Sequence, residues 1–282
     1  MAGKSLKSEL RATWESAAPG WAKWEHVFTA AFSSATDALI DMAGIRPGMR
    51  ILDLACGAGS QTIQAARRVG LNGKVVASDI SATMLEHVLR NAAREGFQNI
   101  ETLECAADEL DKAQAPFDAS MCRMGLMLFP SPSKALEAVR RVLKPGARFA
   151  ALVFTTPASN PFLAQPMAVL VRHARKSPSS PGQPGLFALG TSGTLESLMK
   201  DGGFVGVEMN TMRVRLALPN VSDALQLLQE GAGAYRAVVA DLSDEEKSKA
   251  WQEVHECLPQ FEVGRSFEAE LEVVIGSGAR PS

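Results

Sequence analysis

The sequence predicts an α/β fold in which a mostly parallel sheet is covered by helices on both faces. Between about residues 49 and 154, short apolar runs rich in β-branched residues alternate with helical patterns, which is typical of βαβ units. The stretch LDLACGAG, residues 52–59, adds a glycine turn between the first strand and the first helix of this region. A chain of 282 residues suits one mid-sized domain with a cap and insertions better than two full domains.

The elements of this central region are assigned in order from their boundary signals. The helical stretch SQTIQAARRVG ends at Gly70, SATMLEHVLRNAAREG runs from Ser81 to Gly96, and SKALEAVRRVLKPG ends in Lys-Pro-Gly at Gly146. The predicted strands are residues 50–54, 74–79, 100–105, 119–123 and 148–154.

The rest of the chain departs from this alternation. Residues 155–190 are rich in Pro, Ser and Gly around one apolar helical stretch, which is typical of a lid or binding segment. The predicted organisation is an N-terminal helical cap (1–44), a ligand-binding core (45–154), a lid insertion (155–190), a core helix and strand (191–216), a helical substrate cap (217–262), and a last strand with a tail (263–282).

Composition argues against several classes of protein. The net charge of −2, with basic residues spread among acids, argues against a nucleic-acid partner. The four cysteines lack C-x-x-C spacing, so we expect reduced thiols and no metal cluster. No apolar run approaches the roughly 20 residues of a membrane span, and the N-terminus lacks the pattern of a secretory signal, so we expect a cytoplasmic protein.

The glycine turn indicates the chemistry of its ligand. A loop that leads from a strand into a helix attracts an anion, but a buried Asp53 would repel a pyrophosphate, and Thr62 stands where a dinucleotide loop has its third glycine. A zwitterionic amino acid resolves this conflict, because its carboxylate suits the loop and its ammonium suits Asp53. Asp79 ends the second strand, where a carboxylate can bind ribose hydroxyls. Amino acid and ribose together indicate S-adenosylmethionine.

Three segments carry a family resemblance. ILDLACGAG, SDIS and PFDASMCRMGLMLFPSPSKALEAVRRVLKPGARFAALVF resemble class I S-adenosylmethionine-dependent methyltransferases of the ubiquinone/menaquinone-biosynthesis type, over roughly residues 10–165. The resemblance implies a Rossmann-like sheet of seven mostly parallel strands, with residues 45–154 as the cofactor-binding core. It also implies that Ala55, Gly57 and Gly59 form the turn beneath the methionine part, that Asp79 binds the ribose, and that Ile80 packs on the adenine.

The chain departs from these relatives after the third strand. They commonly have Asp-Ala-Glu there, with the aspartate facing the adenine amino group, whereas this chain has Ala106, Ala107 and Asp108. Two alternatives stay open: the Asp108 side chain reaches the amino group from a shifted position, or the Ala107 backbone N–H holds the ring.

The residues after the fourth strand bear on the acceptor of the methyl group. MCRMGLM lacks the Asn or Asp, two prolines and aromatic residue of enzymes that methylate nucleic-acid amines, and it lacks the acids of divalent-metal O-methyltransferases. Cys122 is interpreted as a small buried thiol rather than a nucleophile. Arg123 is placed near the cofactor, with holding the lid or a structural ion pair as alternatives. Met124 and Met127 are predicted to line an irregular apolar pocket.

Candidate bases and lid residues come from the variable segments. His173 and Tyr235 fall in the two segments that should roof the pocket, so they are the predicted catalytic residues. Trp21 and Trp24 belong to the tryptophan-rich N-terminus, which forms either a packed amphipathic cap or a lid that orders when the cofactor binds.

The predicted function is methyl transfer from S-adenosylmethionine, without a metal, to carbon or oxygen of a small hydrophobic or aromatic metabolite. Two alternatives stay open: a cyclase or rearrangement enzyme that retains the cofactor, and a non-catalytic binding protein with this fold. A homodimer formed through the caps is a further hypothesis, which light scattering tests.

Overall fold

The sheet is built around the strand that precedes the glycine turn. In a computed structural model, which describes residues 6–110, 116–177, 183–231 and 233–282, this strand pairs in parallel with a neighbour on each side. The parallel strands are β1 (Arg50–Leu54), β2 (Lys74–Asp79), β3 (Ile100–Glu104), β4 (Phe117–Arg123) and β5 (Leu143–Phe154), in the spatial order β3-β2-β1-β4-β5. Strands β1 and β2 are buried almost throughout, since helices cover both faces of such a sheet.

Two long antiparallel strands extend the sheet beyond β5. They are β6 (Val205–Leu218) and β8 (Ser266–Ala279), with β8 between β5 and β6, and the short β7 (Glu262–Val263) also pairs with β8. The predicted α/β fold, with seven mostly parallel strands, is confirmed, and β7 adds a short eighth strand among the described residues.

The helices of the core follow the predicted signals closely. They are α2 (Ser60–Val69), α3 (Ala82–Arg94), α4 (Pro132–Val142) and α6 (Thr194–Asp201). The Ser81 hydroxyl caps α3 by accepting the Met84 N–H at 3.1 Å, and Gly70 ends α2 with φ of 67°. One boundary differs: α4 ends at Val142, and the Lys-Pro-Gly segment already belongs to β5.

The predicted N-terminal cap is largely one helix, α1 (Leu6–Met42), which passes over the carboxyl ends of the central strands. It packs against α7 (Val221–Gly231), where the backbones approach closely. A Cβ at Gly20 would lie 2.1 Å from the carbonyl oxygen of Glu230, so only glycine fits there. The contact fixes the position of α1 above the sheet.

The remaining helices lie in the predicted lid and substrate cap. They are α5 (Pro161–His173), α8 (Gly233–Val238) and α9 (Asp244–Cys257). Arg172 and His173 at the end of α5 pair with Glu253 of α9, and Lys176 pairs with Asp241, so this basic segment joins the lid to the cap. Residues 178–182 of the predicted lid lie outside the described residues. Within the described part of the chain, no helix is long and apolar enough to cross a membrane.

Candidate functional site

A cavity lies at the carboxyl ends of the parallel strands, under helix α1. Its empty space is about 1470 Å³, part of which is open to solvent. The loops after β1, β2 and β3 line one side, called here the glycine-loop side. The opposite side, called here the apolar side, is lined by the segment after β4 and by residues of α1, β5, α5, β6, α7, α8 and β8. Open sheets bind ligands at this edge.

The loop after β1 turns sharply beneath the cavity. Ala55, Gly57 and Gly59 have φ angles of 53°, 56° and 99°, which place all three in the left-handed region. At Ala55 this conformation costs roughly 1–2 kcal/mol, because its Cβ crowds the following carbonyl. A Cβ at Gly57 would lie 3.2 Å from Nε1 of Trp21, so the loop and α1 approach each other closely only because this residue is glycine.

Asp79 joins the loops after β1 and β2. Its two carboxylate oxygens accept backbone N–H groups, from Gly57 at 2.9 Å and from Ser81 at 3.0 Å. Burial raises the pKa of Asp79, and the same N–H groups oppose that rise. Asp79 and the neighbouring Ile80 both line the cavity.

The loop after β3 reaches the same side of the cavity. Ala107 and Asp108 lie in a short 3₁₀ turn, and both line the cavity beside the buried Ala106. Lys7 of α1 places Nζ 2.9 Å from a carboxylate oxygen of Asp108 and 2.9 Å from one of Glu109. Both predicted alternatives for holding an adenine, the Asp108 side chain and the Ala107 N–H, therefore stay open.

Two buried charges lie behind the glycine loop. Asp53 is fully buried and accepts the Thr62 hydroxyl at 2.5 Å, and burial raises its pKa to about 7. Arg123 lines the cavity and donates to the hydroxyls of Thr36 at 3.1 Å and Ser60 at 2.5 Å. Burial lowers the pKa of Arg123 to about 10, so it is a cation at neutral pH. Arg123 thus lies next to the loop and also contacts α1.

The predicted lid tryptophans have different positions. Trp21 lines the cavity and stacks on Phe28 with ring centroids 4.5 Å apart, and Trp14 packs edge-on against Trp21 at 6.1 Å. Trp24 is instead buried between α1 and α7, where its indole N–H donates to Glu230 at 2.9 Å. The structure therefore gives Trp24 a packing role and places Trp21 in the cavity wall.

The apolar side carries almost no polar groups. Met124 and Met127 line the cavity as predicted, and Met124 has a left-handed φ of 60°. Further lining residues are Phe32, Phe154, Phe162, Leu216, Leu228 and Leu271. Cys122 is buried next to this region, and burial raises its pKa to about 12, so its thiol is neutral. Among the described residues, no group of three metal-ligating side chains could hold an ion.

Both predicted bases, His173 and Tyr235, make a hydrogen bond to another part of the protein. His173 is absent from the described cavity wall, and its Nε2 lies 2.8 Å from Oε2 of Glu253 on α9. Tyr235 does line the cavity, but its hydroxyl donates to the carbonyl of Leu163 at 2.8 Å, and burial raises its pKa. His173 therefore joins two helices, and Tyr235 forms part of an apolar wall.

The sequence analysis did not predict the contacts that two charged residues of α1 make near the cavity. Lys7 contacts Asp108. Glu25 contacts Asn91 of α3 beside the glycine loop, although 66 residues separate Glu25 from Asn91 in the chain. A usable signal was present for Glu25, because it falls between Trp21 and Phe28 at helical spacing on the face that covers the loop.

Comparison with known proteins identifies the segment that builds the glycine-loop side. Residues 31–173, about half of the chain, match the model of the ubiE/COQ5 methyltransferase family. The ubiquinone/menaquinone biosynthesis C-methyltransferase UbiE of Idiomarina loihiensis is 40% identical over 122 residues, which are 43% of this chain and 48% of that protein. The UbiE of Haemophilus ducreyi is 39% identical over 125 residues, with the same coverage. The chain thus spans about half the length of the curated relatives it matches.

Solved structures share the fold. Phosphoethanolamine N-methyltransferase 2 of Haemonchus contortus, solved with phosphomonomethylethanolamine and S-adenosylhomocysteine, is 18% identical with a TM-score of 0.63, covering 100% of this chain and 62% of that one. The [4+2]-cyclase SpnF is 16% identical with a TM-score of 0.53, covering 88% of this chain and 80% of that one. At such identities the likeness shows the fold alone. The family match over the strands and loops of the site establishes that the chain belongs to the ubiE/COQ5 methyltransferase family.

Proposed function

We propose that this protein transfers a methyl group from S-adenosylmethionine to carbon or oxygen of a small hydrophobic or aromatic metabolite. The observation that carries the proposal is one cavity with two chemically distinct sides. The glycine-loop side presents Asp79, Arg123 and a strained turn, whereas the apolar side is built almost wholly from carbon. A charged cofactor and an apolar acceptor suit these two sides.

The residues on the glycine-loop side fit this cofactor. Each oxygen of Asp79 accepts one backbone N–H and keeps a further lone pair, so the carboxylate can also accept two ribose hydroxyls. Asp53, by contrast, is fully buried behind the loop and is not among the described residues that line the cavity, so we assign it no direct contact with the cofactor. The guanidinium of Arg123 lies beside the loop and suits the carboxylate of the methionine part.

The chain promotes the reaction by positioning and by excluding water. The cofactor supplies an electrophilic methyl group on a positively charged sulfur. Trp21 and Phe28 present aromatic surface to the cavity, which attracts a cation, and the apolar side removes water from the acceptor. Holding two reactants in line can supply much of the rate enhancement without a protein base. A quinone-like acceptor fits the names of the relatives, and a specialised aromatic metabolite fits the same cavity.

A methyl-transfer assay tests the proposal. The purified protein is incubated with S-adenosylmethionine and a panel of hydroxylated quinols, phenols and apolar enols, and S-adenosylhomocysteine is quantified by mass spectrometry. Acceptor-dependent formation of S-adenosylhomocysteine is the expected result. Cofactor binding without turnover on any acceptor would instead favour a cyclase that retains its cofactor, or a binding protein. SpnF, which shares the fold, is a [4+2]-cyclase.

Neither predicted base is expected to be required for turnover. Tyr235→Phe should keep kcat within about twofold and leave the pH–rate profile unchanged. It should lower the free energy of unfolding by about 1 kcal/mol, because a buried hydrogen bond to Leu163 is lost. His173→Asn should change neither kcat nor the free energy of unfolding strongly, because the carboxylate that His173 contacts, that of Glu253, is partly exposed. A hundredfold fall in kcat for either variant, measured with denaturation curves in parallel, would restore it as a base.

A further inference from the structure

Residues 6–15 of α1 cover the glycine-loop side of the cavity. Lys7, Leu10 and Trp14 line the cavity, and their spacing of three and four residues places them on one face of the helix. Trp14 also packs against the buried cluster that contains Met84, at the start of α3. The first turns of α1 therefore lie over the part of the wall that the loops after β2 and β3 form.

Charged side chains join these first turns to the end of β3 and the loop after it. Lys7 Nζ lies 2.9 Å from a carboxylate oxygen of Asp108 and 2.9 Å from one of Glu109. Arg11 pairs with Glu104, and both cationic side chains are 41% exposed. The hydrogen bonds to its two carboxylates raise the pKa of Lys7, so it is a cation at neutral pH. Exposed ion pairs are individually weak and are screened by salt, so these contacts can open while the protein stays folded.

The rest of α1 is held by other parts of the protein. Pro19 lacks the N–H that would reach the carbonyl of Glu15, so the hydrogen-bond ladder of the helix is interrupted there. Directly after this carbonyl, Arg236 of α8 donates to the carbonyl of Ser16 at 2.8 Å and to its hydroxyl at 2.6 Å. Gly20 packs closely on α7. The interruption thus separates a part of α1 that α7 and α8 hold from the first turns, which are joined to the other side of the cavity.

We propose that Lys7 and Arg11 are positioning residues that latch residues 6–15 of α1 over the glycine-loop side of the cavity, and that the cofactor enters and leaves when this latch opens. The inference rests on the proposed function, and it assigns the latch to residues that precede the family-matched segment 31–173. Opening the latch breaks ion pairs within the protein and no contact with the cofactor. It should therefore change the rates of cofactor binding and release rather than the affinity.

The two rate constants are measured by stopped-flow tryptophan fluorescence with S-adenosylhomocysteine as the ligand. The amino-acid part of this ligand carries one positive and one negative charge, so added salt acts on the latch more than on the encounter. The test variant is Lys7→Gln/Arg11→Gln, and the matched control is Lys74→Gln. Lys74 lies 2.7 Å from Glu101, with side-chain exposures of 45% and 53%, but it stands at the start of β2, at the end of the strand far from the cavity.

The double variant should bind and release S-adenosylhomocysteine about two- to tenfold faster than the wild type, with a dissociation constant within about twofold, as expected when exposed ion pairs are lost. Raising the ionic strength from about 0.05 M to about 0.5 M should speed both rates in the wild type and have little effect in the double variant. The control should keep the wild-type rates and their salt dependence. Arg11→Glu should also speed both rates, and adding Glu104→Arg should restore them.

Hydrogen exchange measures the latch in the protein alone. The amides of residues 6–15 should exchange faster in the double variant than in the wild type, whereas those of residues 20–42 should exchange equally in both. Equal exchange throughout, or unchanged rate constants for the ligand, would overturn the latch. Faster release without faster binding would contradict it as well, because Lys7 and Arg11 would then add affinity instead of controlling entry. Failure of the wild type to bind S-adenosylhomocysteine would overturn the proposed function, while the exchange result would still decide whether the latch exists.

Discussion

An Asp79→Ala variant is expected to bind S-adenosylhomocysteine at least a hundredfold more weakly than the wild-type protein. Asp79 accepts backbone N–H groups from both Gly57 and Ser81, so its removal loosens two loops of the cavity wall at once. Each hydrogen bond to a charged group contributes roughly 1.5–3 kcal/mol, and the ribose contacts proposed for the same carboxylate are lost as well. Titration calorimetry of both proteins measures the difference.

Asp118→Ala is the matched control for this experiment. Asp118 also accepts a backbone N–H, from Arg50 at 2.8 Å, and it pairs with Lys144 at 2.5 Å. It lies near the start of β4, however, at the opposite end of the strand from the cavity. The control should lose some stability and keep its affinity. Equal affinities of Asp79→Ala and the wild type would contradict a nucleoside site at this position.

The second large effect is expected on stability, from an Arg123→Met variant. Removing one partner from a buried group of charges typically costs about 3–5 kcal/mol, because the remaining charges stay buried without compensation. Arg123 is 7% exposed and lies near the fully buried carboxyl of Asp53 and the partly buried carboxyl of Glu25. The free energy of unfolding of the variant should therefore fall by about 3 kcal/mol near pH 8.

The same variant should show a distinct pH dependence. Burial raises the pKa of Asp53 to about 7 and also raises that of Glu25, while the charge of Arg123 lowers both. Without Arg123 both pKa values rise further above those of the unfolded chain, which lie near 4. An acid with a raised pKa in the folded state binds its proton there first, so stability increases as the pH falls. The destabilisation should accordingly shrink between pH 8 and pH 6.

Urea denaturation at several pH values measures this trend, with Arg148→Met as the control. Like Arg123, Arg148 donates two side-chain hydrogen bonds, here to the backbone carbonyl of Met42 at 3.0 Å and to the Ser277 hydroxyl at 2.6 Å. The carboxylate near it, on Glu208, is exposed, with a side-chain exposure of 68%. Its destabilisation should be smaller and nearly independent of pH. A pH-independent loss for Arg123→Met would show that its charge does not act on the two carboxyls.

The parts of the site that the sequence predicted are local in the chain. The turn with Gly57 and Gly59, and Asp79 at the end of the next strand, follow from short motifs whose geometry is set by a few neighbouring residues. The parallel order of the central strands follows from the βαβ rhythm. These features needed no knowledge of how distant segments pack.

The contacts that the sequence missed depend on how α1 is rotated about its axis. Trp21 and Trp24 are three residues apart, and only their packing places one against the loop and the other against α7. Likewise, Tyr235 lines the cavity in a segment that was expected to roof it, but its hydroxyl already donates a hydrogen bond to a carbonyl oxygen of α5. Sequence spacing assigns residues to a face of a helix, whereas the partner of that face is set by tertiary packing.

The division of the cavity into two sides has a consequence for how this protein can diverge from its relatives. The glycine-loop side comes mostly from the family-matched residues 31–173, whereas Leu216, Leu228, Tyr235 and Leu271 of the apolar side lie beyond them. Substitutions in these later segments can change the shape of the apolar side while the loops of the glycine-loop side stay intact. Selection can therefore alter this part of the apolar side without changing the stretch of the gene that encodes the glycine loop.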